Sequence, residues 1–263
     1  MTTVAPAAAP ANPLTGVRQS LSLAWRGLVQ IRHNPMELGD LSLQPIMFVL
    51  LFTYLFGGAI AGSPEAYLKF ALPGIIVQSG LMATMNTGVG LSTDLSKGFF
   101  DRLRALPIAR WAPLAGRVVA DVVKQGWSMA ILLLTGFVIG FRLQTGWAGL
   151  LGAFVLMLAF SMLFSWAAVL LGTIADEAEK VMMYAFVVIF PITFTSNAYA
   201  PTATMPGWLQ AWVKVNPVTQ LADALRGLML GGGVADHALY AILWGIGIAA
   251  ACAPIAVMRL RRR

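Results

Sequence analysis

Residues 147–174 read WAGLLGAFVLMLAFSMLFSWAAVLLGTI, without one Asp, Glu, Lys or Arg. A hydrocarbon core about 30 Å thick is crossed by roughly 20 apolar residues in a helix, so this stretch alone is long enough to span a bilayer. Lipid satisfies no backbone polar group, which makes such a run a helix, and it lacks the strand-length alternation of a barrel. Working outward, five further stretches have the same character: about 41–61, 70–91, 125–141 with a few flanking residues, 181–200 and 238–258. None of these cores contains an acid or a base. The predicted fold is an all-α integral membrane protein with six transmembrane helices. Residues 14–263 form a single transmembrane domain, behind a disordered tail of residues 1–13 rich in Ala and Pro. That tail lacks the charged and apolar regions of a secretory signal.

Composition agrees. The 263 residues are 58% apolar and 11% charged, with a mean hydropathy of +0.76, whereas a soluble domain carries roughly 25% charged residues. A water-soluble globule could not hide so much apolar side chain. A cytosolic enzyme, a disordered chain and a disulfide-stapled domain are therefore excluded. The single cysteine, Cys252, allows neither an internal disulfide nor a multi-cysteine metal site. Lys and Arg number 18 against 11 acids. In a membrane protein this excess reads as orientation and not as nucleic-acid binding. With both termini cytoplasmic, only Lys69, Arg142, Lys214 and Arg226 of those 18 fall outside. An even number of spans with both ends inside an inner or plasma membrane follows.

Between the spans, residues 14–33 predict a helix too polar to cross. Leu14, Val17, Leu21, Trp25 and Leu28 share one face, with Arg18, Arg26 and Gln30 on another. Such a helix lies in the interface plane, with Trp25 at headgroup depth, either as an anchor or as part of a docking surface. In the loop from Ser92 to Lys124, Leu95, Phe99, Leu103 and Leu106 make an apolar stripe opposite Asp94, Lys97, Asp101 and Arg104. Thr93 is the expected N-cap of that amphipathic helix and Pro107 its stop. Pro113 opens a second helix, where Arg117 and Asp121 stand one turn apart. The first helix either passes movement from a soluble partner into the membrane or lies on the bilayer. On the other side, Pro206 and Trp208 begin one short helix, and Asn216-Pro217 begins a second that Gly231, Gly232 and Gly233 end. Two half-length helices re-entering the outer leaflet, or a hairpin on its surface, would both explain this composition.

Catalytic chemistry is absent. No Gly-x-x-x-x-Gly-Lys-Ser/Thr occurs, and His33 and His237 sit near opposite membrane faces. Asp176, Glu177 and Glu179 cluster in a turn that suits solvent or a partner better than a metal. Without an acid inside the predicted cores there is no evident proton relay, so the energy for any movement comes from another polypeptide. Polar groups within the spans include Gln78, Ser79, Thr84, Asn86 and Thr87, then Ser161 and Ser165, then Thr193, Thr195, Ser196 and Asn197. Gln78 and Asn86 are the costliest to leave facing lipid and are expected to point inward. Gln78, Asn86, Thr195 and Asn197 either line a cargo route or bond helix to helix. Gly58-x-x-x-Gly62 and Gly136-x-x-x-Gly140 permit close helix contact.

Four stretches resemble the membrane subunits of type-2 ABC exporters, particularly the daunorubicin-resistance-like permeases of actinobacteria. They are Pro45 with Leu51 through Ala59 (LFTYLFGGA), Gly98 through Arg110 (GFFDRLRALPIAR), Gly116 through Asp121 (GRVVAD), and the set Asn197, Met205 through Leu209 (MPGWL), Asn216-Pro217 and Ala224-Leu225-Arg226. The resemblance implies a half-transporter that pairs with a second permease, most simply a copy of itself. Two separate ABC ATPase subunits would bind ATP and Mg, and this chain would hold no cofactor or metal. It further implies that Gly98–Leu106 is a cytoplasmic coupling helix seated in the ATPase. Leu95, Phe99 and Leu103 would be its apolar contacts and Asp101, Arg102 and Arg104 its polar rim, with the interfacial helix bearing Arg18, Trp25 and Arg26 beside it. The 201–236 stretch would be the extracellular re-entrant element between spans five and six. The cargo implied is hydrophobic or amphiphilic, a drug, a polyketide or a lipid. A lipid-linked polysaccharide exporter and a non-transporting scaffold or biogenesis subunit are the alternatives.

Overall fold

A computed structural model describes residues 13–32, 35–97, 112–175 and 177–262. Nine α-helices lie among them, and no strand. They are α1 (Pro13–Arg32), α2 (Pro35–Ala61), α3 (Pro64–Ser96), α4 (Ala112–Ile139), α5 (Gly146–Ile174), α6 (Ala178–Phe194), α7 (Gly207–Val215), α8 (Pro217–Leu230) and α9 (Ala235–Arg262), with a 3-10 turn at Thr202–Thr204.

Among the described residues five segments are long and apolar enough to cross a membrane: Ser42–Ala61, Pro64–Ser96, Gly116–Ile139, Gly146–Ile174 and Ala235–Arg259. The fifth predicted span, 181–200, differs. Its helix α6 ends at Phe194, and Thr195–Ala200 form an irregular turn. The Thr195 N–H donates to the Pro191 carbonyl at 2.9 Å and closes the last turn of α6. The third predicted span also shifts, because the apolar segment of α4 starts at Gly116 and so includes Arg117, Asp121 and Lys124.

α3 is the axis of the bundle. Of its most apolar window 72% is buried inside the protein, against 17–39% for the other four segments, and α2, α4, α5, α6 and α8 all pack on it. Its start is written locally. Ser63 accepts a hydrogen bond from the Ala66 N–H at 3.2 Å and Pro64 opens the first turn, where Glu65 complements the helix dipole. Between protein and lipid there is little hydrophobic gain, so helices associate through close packing and polar contacts. Accordingly, α3 presents glycine where neighbours come closest. A Cβ on Gly88 would stand 2.5 Å from the Ala168 carbonyl oxygen, and one on Gly172 2.5 Å from that of Gly88. Gly74 likewise lies against the Ala198 backbone. The expected Gly-x-x-x-Gly contacts are largely unused within the chain. Gly58, Gly62 and Gly140 have nothing within 4 Å of such a Cβ, and only Gly136 meets a neighbour, Leu72.

α3 also runs further than expected. It continues to Ser96 with Lys97 as its cap, so Thr93 is no N-cap but an interior residue, its hydroxyl donating to the Val89 carbonyl at 2.9 Å. Leu95 is thereby placed on α3's last turn, partly buried against Leu91, Val169 and Ala256. The rest of the expected coupling stretch, including Phe99, Asp101, Arg102, Leu103 and Arg104, lies outside the described residues, as does the tail up to residue 12.

Candidate functional site

Two polar clusters interrupt this apolar bundle, one at each end of α3. The first is built around α8. Asn216 caps that helix, its Oδ1 accepting from the Val218 N–H at 2.9 Å, and Pro217 occupies the first helical position. The Asn216 amide nitrogen donates to the carbonyls of Ile192 at 2.8 Å and Thr195 at 3.3 Å, which fixes the start of α8 to the end of α6. At the other end Gly231 turns the chain with φ +88°, a conformation that favours glycine. The exposed carbonyls there are met by the α4–α5 connection. Thr145 Oγ1 donates to Leu228 O, and the Gln144 N–H to Met229 O at 3.0 Å. Both ends of α8 are thus satisfied by protein.

The side of α8 carries an ion pair. Arg226 Nη1 donates to Asp223 Oδ1 at 2.6 Å, Nη2 to the Asn197 carbonyl at 2.7 Å and Nε to the Phe70 carbonyl at 3.0 Å. The guanidinium also lies 4.1 Å from the centre of the Phe70 ring. Asn197 closes the ring of contacts, its amide nitrogen 2.9 and 2.8 Å from the two Asp223 carboxylate oxygens. An arginine guanidinium stays charged in proteins, and here Asp223 supplies its countercharge. Arg226 is therefore no solvated outer residue. It joins α8 to α3 and to the turn after α6.

The second cluster lies where α3 ends and α4 begins. Arg117 Nη2 and Asp94 Oδ2 are 2.9 Å apart, across the two helices. The i,i+4 partner expected from sequence, Asp121, is instead engaged by the Thr87 hydroxyl at 2.5 Å, with Lys124 Nζ at 4.0 Å. One turn deeper Gln125 donates to Ser161 Oγ at 2.6 Å, which carries the seam to α5. A small cleft lined by Thr84, Thr87, Asp121, Gln125, Ser161 and Ser165 follows it, with room for about one water molecule.

The four expected pathway residues separate. Asn197 is buried in the α8 network, and Thr195 accepts from Trp212 Nε1 at 2.8 Å while donating to Pro191 O. Both serve here as bonds between elements. Gln78 is buried, and its Oε1 has no hydrogen-bond partner. Asn86 corrects the expectation, since it does not point inward: between Ala71 and Ser92 it is the one exposed residue. Lipid tails would leave this mid-helix amide without a hydrogen-bond partner. On α1 the small residues Gly16, Ser20 and Ala24 are buried, where the helix lies along α4. Val17, Leu21, Trp25 and Val29 are exposed as one stripe, and Arg18 is exposed too. The Arg26 side chain lies outside the described ones.

Sequence reasoning did not identify Asp94, Asp223 or Arg226 as partners in these clusters. The available signal was an Asp-x-x-Arg pair, 223 to 226, in a helix with no other charged residue. Among the described residues no group of three or more His, Cys, Asp or Glu side chains could hold a metal ion.

Comparison with known proteins agrees with this architecture. The chain is 41% identical over 94% of its length, and 87% of the relative's, to a daunorubicin resistance ABC transporter permease protein, DrrB1, of Streptomyces coeruleorubidus. It is 27% identical over 81% of its length, and 78% of the relative's, to a probable doxorubicin resistance ABC transporter permease protein, DrrC, of Mycobacterium tuberculosis. A putative transport permease, ycf38, of Cyanophora paradoxa is 27% identical over 80% of the chain and 73% of its own length. Residues 18–230, from α1 through α8, match the family described as ABC-2 type transporter. With the helical bundle, its membrane-length segments and this match together, the chain belongs to the ABC-2 type transporter family as a multi-pass membrane permease subunit.

Proposed function

We propose that this ABC transporter permease exports hydrophobic or amphiphilic molecules, a drug, a polyketide or a lipid, using ATP hydrolysed by a separate partner. The observation that carries this reading is the 41% identity to a daunorubicin resistance permease along 94% of the chain. In the proposal two copies of the permease pair, and each receives one nucleotide-binding subunit, which binds the ATP and magnesium. The segment 98–106 carries the docking contacts, with Phe99 and Leu103 apolar and Asp101, Arg102 and Arg104 polar, and Leu95 anchors it to α3.

The end of the bundle bearing 98–111 faces the cytoplasm, as do both termini, in keeping with the distribution of Lys and Arg. α6 is the further span that makes six. Its 17 residues reach roughly 26 Å, and the turn at 195–200 takes up the remaining depth. α7 and α8 then re-enter the outer leaflet, which the protein cover over both ends of α8 supports. ATP binding draws the partners together and favours one of two arrangements of the membrane halves through differential contacts. A route opens beside the exposed face of α3 at Asn86, with Gln78 facing the α3 interior.

Co-purification from native membranes tests the class. An ATPase in stoichiometric amount is expected, and its absence would overturn the reading. Leu103→Asp is expected to abolish partner-stimulated export while the chain still inserts, and unchanged export would remove Leu103 from the joint. Asn86→Leu is expected to reduce daunorubicin efflux several-fold without loss of ATPase binding, measured in cells expressing both subunits.

A further inference from the structure

α3 ends at Ser96 and α4 begins at Ala112, so the segment between them is joined by the chain itself to these two helices, which would carry a push on it into the membrane. Stems that splay apart would turn such a push into local motion of the loop. We propose that Asp94 and Arg117 form a clasp that makes α3 and α4 move as one body, with Gly90 as the seat of the guanidinium. This inference rests on the reading of 98–106 as the docking segment.

Three observations on different residues converge. The ion pair closes at 2.9 Å between the last turns of one helix and the first turns of the other. Gly90, one turn before Asp94, lies directly under the arginine, and a Cβ there would stand 2.9 Å from both Cζ and Nη2 of Arg117. Deeper along the same faces Thr87 engages Asp121 and Gln125 engages Ser161, so the clasp is the first rung of a seam running from α3 and α4 into α5. The rung is also releasable. Arg117 Nη1 is buried without a hydrogen-bond partner, which leaves capacity for another partner in a second arrangement. Asp94 and Arg117 are thus positioning residues that act through helix geometry, with no contact to cargo required.

The test uses the full complex with its nucleotide-binding partner in lipid vesicles, in a Cys252→Ser background with Met82→Cys as reporter. Met82 lies one turn from Asn86 and is half-buried. The readout is the change in its maleimide labelling rate between nucleotide-free and ATP-vanadate states. Asp94→Asn and, independently, Gly90→Ala are expected to shrink that change about tenfold while ATPase binding and hydrolysis persist, which is uncoupling and not misfolding. Gly90→Ala is the gentler of the two, because the atoms it displaces are the flexible end of a side chain. The exchanged pair Asp94→Arg with Arg117→Asp is expected to restore the response. An undiminished response in Asp94→Asn and Gly90→Ala, or no recovery in the exchanged pair, overturns the clasp. An ATPase that fails to bind even the parental chain, or a parental chain without any labelling response, overturns the docking reading and the clasp with it.

Discussion

Arg226 and Arg117 are the same residue type paired with the same residue type, at opposite ends of the same central helix, yet their surroundings differ. Arg226 donates through Nε, Nη1 and Nη2 to three acceptors, two of them backbone carbonyls, and Asn197 holds its carboxylate partner from the other side. Among the described residues Arg117 pairs with one carboxylate, and its Nη1 is without an acceptor. The Arg226 side chain is 13% exposed and that of Arg117 26%. Backbone carbonyls cannot rotate away, and attraction grows as solvent is excluded, so the first pair is fixed by the chain around it and the second is exchangeable. The α8 link is anchored on backbone, whereas the α3–α4 link rests on two side chains.

The largest expected effect comes from breaking the α8 link. Arg226→Met leaves the Asp223 carboxylate without its countercharge, held by the Asn197 amide alone, and takes the guanidinium donors from the carbonyls of Phe70 and Asn197, which costs about 3–5 kcal/mol for a buried pair. Thermal unfolding of the detergent-solubilised chain is expected to shift down accordingly, with early proteolysis near Met205–Gly207. Adding Asp223→Leu removes the stranded charge and should recover much of the loss. An unchanged melting temperature for Arg226→Met would show that α8 is held by apolar packing alone, and the contrast between the ends would disappear.

Next in size is the α3–α5 crossing. Gly88→Val places methyl groups on the Ala168 carbonyl, 2.5 Å from the new Cβ, with Val181 at 3.0 Å on the other side. The obstacle is partly backbone, so the helices must separate, at about 1–3 kcal/mol. Gly58→Val meets nothing in the chain and should leave monomer stability unchanged. Paired melting curves decide whether these two glycines differ as the structure states.

That pair shows where sequence is legible and where it stops. Helix existence, the membrane class, the cap at Asn216 and the stop at Gly231 follow from local chemistry, because each depends on residues within four or five positions. Gly58-x-x-x-Gly62 matched a local pattern, whereas Gly88 and Gly172 owe their importance to each other across 84 positions of chain, which no spacing rule announces. The length of α3 escapes a local reading for a related reason. Thr93 before a polar run looks like a cap, but a threonine inside a helix can return its hydroxyl to the carbonyl four residues earlier, and packing of Leu91 and Leu95 against α5 and α9 decides for continuation. Asn86 was expected inside because an amide in lipid is costly. That reasoning counted one chain, and the exposed amide fits a face completed by something else.

Asn216→Ala probes the α8 end more gently. It removes the α8 cap and the two donations to Ile192 and Thr195, with an expected cost of about 1–2 kcal/mol. Asn216→Asp keeps the cap but not the amide donors, so its loss should fall between those of the parent and the alanine variant. Equal loss in both variants would assign the whole effect to the donors and none to the cap.

The smallest effect is expected where the comparison is most exposed to refutation, in Arg117→Met. The same substitution that unravels the α8 end should here cost about 0–1 kcal/mol, since the pair is partly solvated and has one strong contact. Removing the guanidinium also relieves the burial of the unpartnered Nη1, while the methionine stem still covers Gly90. Stability and function should therefore separate at this position: near-parental melting together with a weakened response to ATP. A loss as large as that of Arg226→Met would mean that the Asp94–Arg117 pair is held as firmly as the Asp223–Arg226 pair, and the difference in their surroundings would carry no difference in strength.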